Sequence, residues 1–353
     1  KFENINFNFI NTNKTARKLL GKIGAYNISN GMFIKKVERE LKKINVNGFK
    51  LLHCITPAGI HSYNNLYKFK IPLLIGPLGG ALPTPGGFKQ IFQNNFKDFL
   101  RDYYYDKIIT EKAWKDYFLN AKKIIIGTEY LKKIIPEDAQ KKCTIIFDAF
   151  VDKNFYRPKE ELKNNTVKKI LFAGRLESTK GAILLVEAVK ICAQSGTNNF
   201  EVEIAGDGPL KGKIINLIKK YNLEKLIHLL GKLSQLELLK KYQDCDVFCL
   251  PTLREPGGTA ILEAMSCGIP IITSDYGGPA YSVTENCGIK IKPTNTKSYI
   301  KELSAALTYL TKNKEVRLKM GKMARERVER EFSLDTLEKK ICDVYKETIR
   351  RDA

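Results

Sequence analysis

The feature that most constrains this chain is the regular alternation of strands and helices in its second half, broken by glycine-rich turns. Residues 169–173 form a short apolar run closed by Gly174, and 182–193 carry helical periodicity. A second strand at 200–205 ends in GDGP at 206–209, followed by a basic amphipathic helix over 210–221. Residues 227–230 read as a strand, and Ser234 as the cap of a helix running to about residue 243. The run at 246–251 is a strand of the fully buried kind, 260–267 a helix stopped by Gly268, and 270–273 another strand. Repeated β-α units of this size predict a parallel, doubly wound sheet. Such sheets bind ligands at the carboxyl ends of their strands, where the glycine-rich loops fall.

The first half is less regular. Residues 48–55, 71–75, 124–127 and 143–147 read as strands, the second leading into GPLGG at 76–80. Between them an aromatic and basic stretch over 88–120, with Tyr103, Tyr104, Tyr105 and Trp114, reads as helical. At 353 residues the chain exceeds what one core usually supports, so two domains are expected. The division expected is 1–150, 151–332 and a C-terminal helix over 333–353, which crosses back to the first domain. The hinge is placed at 150–158, before a polar linker over 159–166.

Three loops of the second half carry polar groups suited to an anionic ligand. In GRLESTKG at 174–181, Arg175 and Lys180 stand five residues apart around a strand-to-helix turn. A guanidinium fork and an ammonium point charge there suit a diphosphate, although a basic residue after a strand is by itself more often a solvated cation. In GDGP, Gly206 and Gly208 permit close backbone approach, and Pro209 opens a helix whose N-terminus attracts anions. The spacing is not that of a dinucleotide fingerprint. The third loop, REPGGTAILEAMSCGIP at 254–270, places Glu255 and Glu263 eight residues apart. Gly257, Gly258, Thr259 and Ala260 open the intervening helix, a seat for phosphate or sugar hydroxyls. Glu263 lies among Ile261, Leu262, Ala264 and Met265, where a carboxylate without a partner is costly.

The order of GRL-x3-KG, GDGP, DVFCLPT, E-x7-E, LEAMSCGIPII and SDYGG over 168–332 resembles the retaining GT-B glycosyltransferases of family 4. The resemblance implies two Rossmann-like doubly wound α/β domains facing a central cleft. It implies that Gly174, Arg175, Lys180, Gly206, Gly208 and Pro209 lie around the donor diphosphate. Glu255 then contacts the transferred sugar, Glu263 the ribose, and Gly257 to Ala260 supply backbone donors. One departure stands out: the position of Gly257 often carries phenylalanine in the family, which bears on sugar selectivity rather than nucleotide binding. More faintly, LLHCITPAG at 51–59 and IPLLIGPLGGA at 71–81 resemble a polysaccharide-assembly branch. In that comparison His53, Gly79 and Gly80 lie on the sugar and acceptor side. His53 reads equally well as a histidine satisfied at a strand end. The family's first strand and glycine loop are not legible before Phe49. Either they are degenerate within residues 1–30 or they precede Lys1.

The resemblance implies transfer of a hexosyl unit from a UDP-, GDP- or ADP-linked donor to a glycan or lipid-linked acceptor, with no obligate cofactor or metal. Two other classes remain open: a GT-B nucleotide-sugar epimerase, and a module that binds nucleotide sugar without turnover. Asp244-Cys245-Asp246 spells a metal-binding triplet, but it sits at a strand entry and is expected to be structural. His61 and His228 are too isolated for metal ligation. Eight cysteines without a CxxC pair fit reduced thiols in a cytoplasmic protein. No apolar run approaches the roughly 20 residues of a membrane span. Lys and Arg exceed Asp and Glu by 60 to 38, a net charge of +22. Lysines on solvated faces account for such a count, as does a peripheral docking surface for anionic membrane built from Lys35, Lys36, Lys42, Lys43, Lys122, Lys123, Lys132 and Lys133. No nucleic-acid-binding motif accompanies the charge.

Overall fold

The computed structural model describes residues 26–55, 59–88, 103, 105–159 and 168–350. The chain divides into two compact units, each an α/β domain on a parallel sheet. The first comprises the described parts of 1–81, 95–146 and 342–353, and the second those of 82–94 and 147–341.

The first unit opens with helix α1 (Tyr26–Leu41) and strands β1 (Leu52–Cys54) and β2 (Leu73–Leu78). Helix α2 (Lys112–Leu119), β3 (Lys123–Ile126), the single turns α3 (Glu129–Lys132) and α4 (Glu137–Gln140), and β4 (Cys143–Ile145) follow. The sheet order is β1-β2-β3-β4, all parallel. Leu73, Leu74 and Ile75 are buried, as are Ile124, Ile125 and Ile126, because crossovers cover both faces of a parallel sheet. Helix α2 turns Trp114, Tyr117 and Phe118 inward, and the Trp114 indole N–H donates to the Ile60 carbonyl at 2.9 Å. The first strand is shorter than the expected 48–55: Val46–Gly48 is a 3-10 turn and Phe49 is exposed. Of the expected helical stretch over 88–120, residues 89–102 and 104 lie outside the described residues; 103 and 105–108 are helical, as is α2.

The second unit runs β5 (Lys168–Ala173), α5 (Ala182–Gln194), β6 (Phe200–Ala205), α6 (Lys211–Lys220), β7 (Ile227–Gly231), α7 (Gln235–Asp244) and β8 (Val247–Leu250). Then come α8 (Thr259–Ser266), β9 (Ile271–Ser274), α9 (Gly277–Ser282), β10 (Gly288–Ile291), α10 (Thr296–Lys312), α11 (Lys314–Glu331) and α12 (Leu334–Ile349). The last helix begins in this unit and ends in the first. The six strands are parallel in the order β10-β9-β8-β5-β6-β7. All of β8 is buried, as is β5 from Ile170 to Ala173, while edge-ward β6 alternates between buried and half-buried residues. Ser234 caps α7 through a reciprocal capping box with Glu237, as its sequence predicts.

This strand order positions the site. From β5 the chain winds outward through β6 and β7, then returns to β8 on the other side of β5 and winds away through β9 and β10. The topological switch point therefore lies between β5 and β8.

Candidate functional site

The loops leaving β5, β6 and β8 are bonded to one another at the carboxyl end of the second sheet. The Gly174 amide donates to the Ala205 carbonyl at 3.0 Å, and the Leu176 amide to the Asp207 carbonyl at 3.0 Å. Leu210 returns the contact through its amide to the Leu176 carbonyl at 2.9 Å. Gly206 has a φ of 142°, and a Cβ there would lie 1.9 Å from the Gly174 carbonyl oxygen, so only glycine allows this closeness. Gly208 approaches the Leu176 backbone similarly. Helix α6 begins at Lys211, two residues after Pro209 and slightly later than its sequence suggests.

On the other side of β5, the loop at 178–181 is fixed to the loop after β8. Thr252 donates its hydroxyl, and Leu253 its amide, to the Thr179 carbonyl at 2.9 and 2.8 Å. The 3-10 turn Ser178–Lys180 thereby delivers Lys180 to Glu255, and the ammonium and carboxylate form an ion pair. The two side chains are 22% and 14% exposed, so water screens the pair only in part. Arg175 is 74% exposed and pairs with Glu177 at 3.5 Å. The structure thus brings Lys180 and Glu255 together and leaves Arg175 at the solvent edge of the same loop.

Glu255 precedes the opening of α8. Gly258 caps that helix with a left-handed φ of 93°, and the Thr259 and Ala260 amides precede the first intrahelical bond, which Ile261 makes to Gly258. Those amides carry the positive end of the helix dipole. Behind the loop, the Gly278 amide at the start of α9 donates to the Glu255 carbonyl at 2.8 Å. This places the SDYGG turn among the supports of the site, a role its sequence alone does not reveal.

Glu263 lies a turn inside α8, and its carboxylate is not left alone. The Tyr242 hydroxyl, fully buried on α7, donates to Glu263 Oε2 at 2.9 Å. Burial pushes the Glu263 carboxyl above its usual range, and hydrogen bonds from Tyr242 and Tyr156 pull it back. Tyr156 is itself held by the Gln235 amide at 3.3 Å. Neither tyrosine was marked by the sequence, although Tyr242 is the one aromatic in the otherwise polar and leucine-rich QLELLKKYQD helix.

Asp148, which the sequence reading also passed over, lies against the Glu255–Gly257 turn. Its carboxyl stands above the ordinary range, first because packing strips water from it, then because Glu255 is negatively charged. The residue is nonetheless exposed to solvent.

In the first unit, His53 donates from Nε2 to the Gly76 carbonyl at 2.7 Å and accepts at Nδ1 from the Tyr345 hydroxyl at 2.9 Å. A carbonyl can only accept, which fixes this neutral tautomer, and burial holds the ring below its usual pKa. Both ring nitrogens are thus engaged within the unit. Gly79 accepts from the Ile60 amide at 3.4 Å, and Gly80 is exposed with a φ of 85°. Residues 56–58 of the adjoining motif lie outside the described residues.

The Asp244-Cys245-Asp246 triplet serves the sheet. Asp246 accepts at Oδ2 from the Lys169 amide at 2.9 Å, and its own amide donates to the Lys169 carbonyl at 2.7 Å. Among the described residues, no three His, Cys, Asp or Glu gather as a metal site. His61 stacks on Tyr105 in the first unit, and His228 lies 4.0 Å from Glu201 in the second.

Residues 153–327 match the family model of glycosyl transferases group 1. An uncharacterised glycosyltransferase of Methanocaldococcus jannaschii is 28% identical over 229 residues, 65% of this chain and 60% of that protein. The amylovoran biosynthesis glycosyltransferase AmsK of Erwinia amylovora is 28% identical over 182 residues, 50% of this chain and 44% of its own length. The chain thus spans about half the length of the curated relatives it matches. Among solved structures, Anabaena HepE in complex with UDP superposes with a TM-score of 0.63 at 16% identity, covering 90% of this chain and 84% of that one. That likeness is one of fold. Residues 153–327, just under half of the chain, are thus similar to the glycosyl transferases group 1 family.

Proposed function

We propose that this protein transfers a hexosyl unit from a nucleotide-diphosphate sugar to a glycan or lipid-linked acceptor, with retention at the anomeric carbon. The observation that carries the reading is the Lys180–Glu255 ion pair beside the α8 N-terminus, at the switch point of the second sheet. The relative named for amylovoran biosynthesis and the UDP-bound structural neighbour are consistent with it. In this reading Lys180, Arg175 and the Thr259 and Ala260 amides hold the diphosphate. Glu263 accepts from the ribose hydroxyls, and Glu255 from the transferred sugar.

As the bond between the anomeric carbon and the phosphate oxygen breaks, negative charge grows on the departing diphosphate. Fixed cations and amides stabilise that charge without reorganising. The roles assigned here give no step to a metal ion, so chelation with EDTA should leave turnover unchanged. His53, Gly79 and Gly80 belong to the acceptor side in this reading. His53 would have to exchange Tyr345 or Gly76 for the incoming group.

The test follows UDP-, GDP- and ADP-hexoses by NMR, with and without a glycan acceptor. Release of nucleoside diphosphate only when acceptor is present, with the donor's anomeric configuration kept in the product, is the expected result. Conversion of the sugar without acceptor would identify an epimerase, and binding without turnover a non-catalytic module.

A membrane-associated, cytoplasmic placement is a second part of the proposal, favoured by α1. Met32, Lys35, Arg39 and Lys42 recur at helical spacing and are exposed, and exposed Ile44 and Phe49 follow them. Several other lysines of the expected surface are paired: Lys43 with Glu40 at 2.8 Å, and Lys123 with Glu347 at 2.8 Å. Sedimentation with anionic vesicles should be strong at low salt and weaken when Lys35, Arg39 and Lys42 become glutamate. Binding indifferent to salt and lipid charge would refute it.

A further inference from the structure

The glycine at position 257 has a structural counterpart. A Cβ built on Gly257 would lie 2.8 Å from Asp148 Oδ1 and 3.1 Å from Ala149 Cβ. Gly257 is buried, and its φ lies outside the left-handed range, so a larger residue there would have to displace the Asp148 carboxylate. The room that a side chain at 257 would fill is taken by a carboxylate. That carboxylate meets the same turn two residues from Glu255. Glu255 in turn is held by Lys180. This end of the site therefore presents two carboxylates against one half-buried ammonium.

We infer that Asp148 is a specificity-determining residue of the donor-sugar subsite, selecting a neutral, hydroxyl-rich hexosyl group over an anionic one such as a uronic acid. The inference rests on the reading that Glu255 contacts the transferred sugar. Carboxylates accept hydrogen bonds and cannot donate them when ionised, so two of them at one turn match a ligand edge made of O–H donors. A carboxylate on the sugar would face like charge on both sides with a single cation already engaged, and repulsion of this kind discriminates more sharply than attraction does. The same arrangement explains the glycine: Asp148 can reach this position only while residue 257 lacks a side chain.

The experiment measures kcat/KM for a matched pair of donors on the nucleotide the protein binds, the hexose and its uronic acid, in wild type and Asp148→Asn. Wild type should prefer the hexose by tenfold or more. Asp148→Asn should narrow that ratio at least tenfold while the affinity for the nucleoside diphosphate alone stays within twofold. A ratio unchanged within threefold would overturn the inference. Failure of wild type to bind any nucleoside diphosphate would instead overturn the underlying glycosyltransferase reading. A double-mutant cycle gives an independent readout should Asp148→Asn fold poorly. Gly257→Ala forces its methyl onto Asp148 and should lower hexose transfer at least tenfold, whereas in the Asp148→Ala background the same methyl should cost less than threefold. Additive effects of the two substitutions would count against the inference.

Discussion

Lys180→Ala is expected to lower kcat/KM by about 100- to 1000-fold, the range seen when one pre-positioned donor to a developing oxyanion is removed. The ammonium is held by Glu255 on one side and by the bonded 178–181 turn on the other, so it needs no rearrangement when charge appears on the diphosphate. Its loss cannot be made good by Arg175, whose guanidinium is 74% exposed and pairs with Glu177 at 3.5 Å. The substitution also leaves the partly buried Glu255 carboxylate without its cation, which should cost about 1–3 kcal/mol of stability. Thermal melting followed by circular dichroism separates the two effects. The variant should remain folded at 25 °C, with activity lost far beyond the small change in folded population. Wild-type turnover in Lys180→Ala would remove the ion pair from the chemistry.

The second large effect is expected at Glu263. Glu263→Ala should weaken binding of the nucleoside diphosphate by about 10- to 100-fold, corresponding to roughly 1.4–2.8 kcal/mol for lost hydrogen bonds to a charged acceptor. It also strands the Tyr242 hydroxyl, which is fully buried and donates to this carboxylate at 2.9 Å. Tyr242→Phe provides the complementary test, since it keeps the ring in the core and deletes only the hydroxyl. Burial already raises the Glu263 pKa, and the phenol opposes that rise. Without the phenol the carboxyl holds its proton to higher pH, so a smaller fraction is ionised at any given acidic pH. The acid limb of the binding profile should therefore move upward in Tyr242→Phe, with the affinity at high pH little changed. A profile that superimposes on wild type would reduce Tyr242 to a packing residue.

The second unit was legible because a parallel sheet covered on both faces writes its strands as nearly continuous apolar runs. Strand β8 is such a run, and the expected and observed bounds of β5 and β6 differ by no more than one residue. The first unit was harder for identifiable reasons. Phe49 extended an apparent strand backward, yet it is exposed and follows a 3-10 turn. Gly76 and Pro77 read locally as the end of a strand, since proline cannot donate to a ladder. Strand β2 nevertheless continues to buried Leu78, and its pairing with β3 shifts register between Ile75 and Leu78 to pass the break.

The site divides along the same line. Motifs that lie within one loop, such as the E-x7-E segment, were readable because their spacing carries their geometry. The partners that hold those motifs were not. Tyr242 reaches Glu263 across 21 residues, and Asp148 reaches Gly257 across more than a hundred. Such contacts exist only once the sheet has assembled, and local periodicity holds no record of them.

The central claim is that the loops after β5, β6 and β8 serve a single ligand carrying both a diphosphate and a ribose. Titration calorimetry with UDP, GDP and ADP tests it most directly, using wild type, Lys180→Ala and Glu263→Ala. The account predicts that one of the three nucleotides binds wild type at one site per chain and that each substitution weakens that same binding event tenfold or more. Wild type binding none of them, or both variants binding as tightly as wild type, would contradict it.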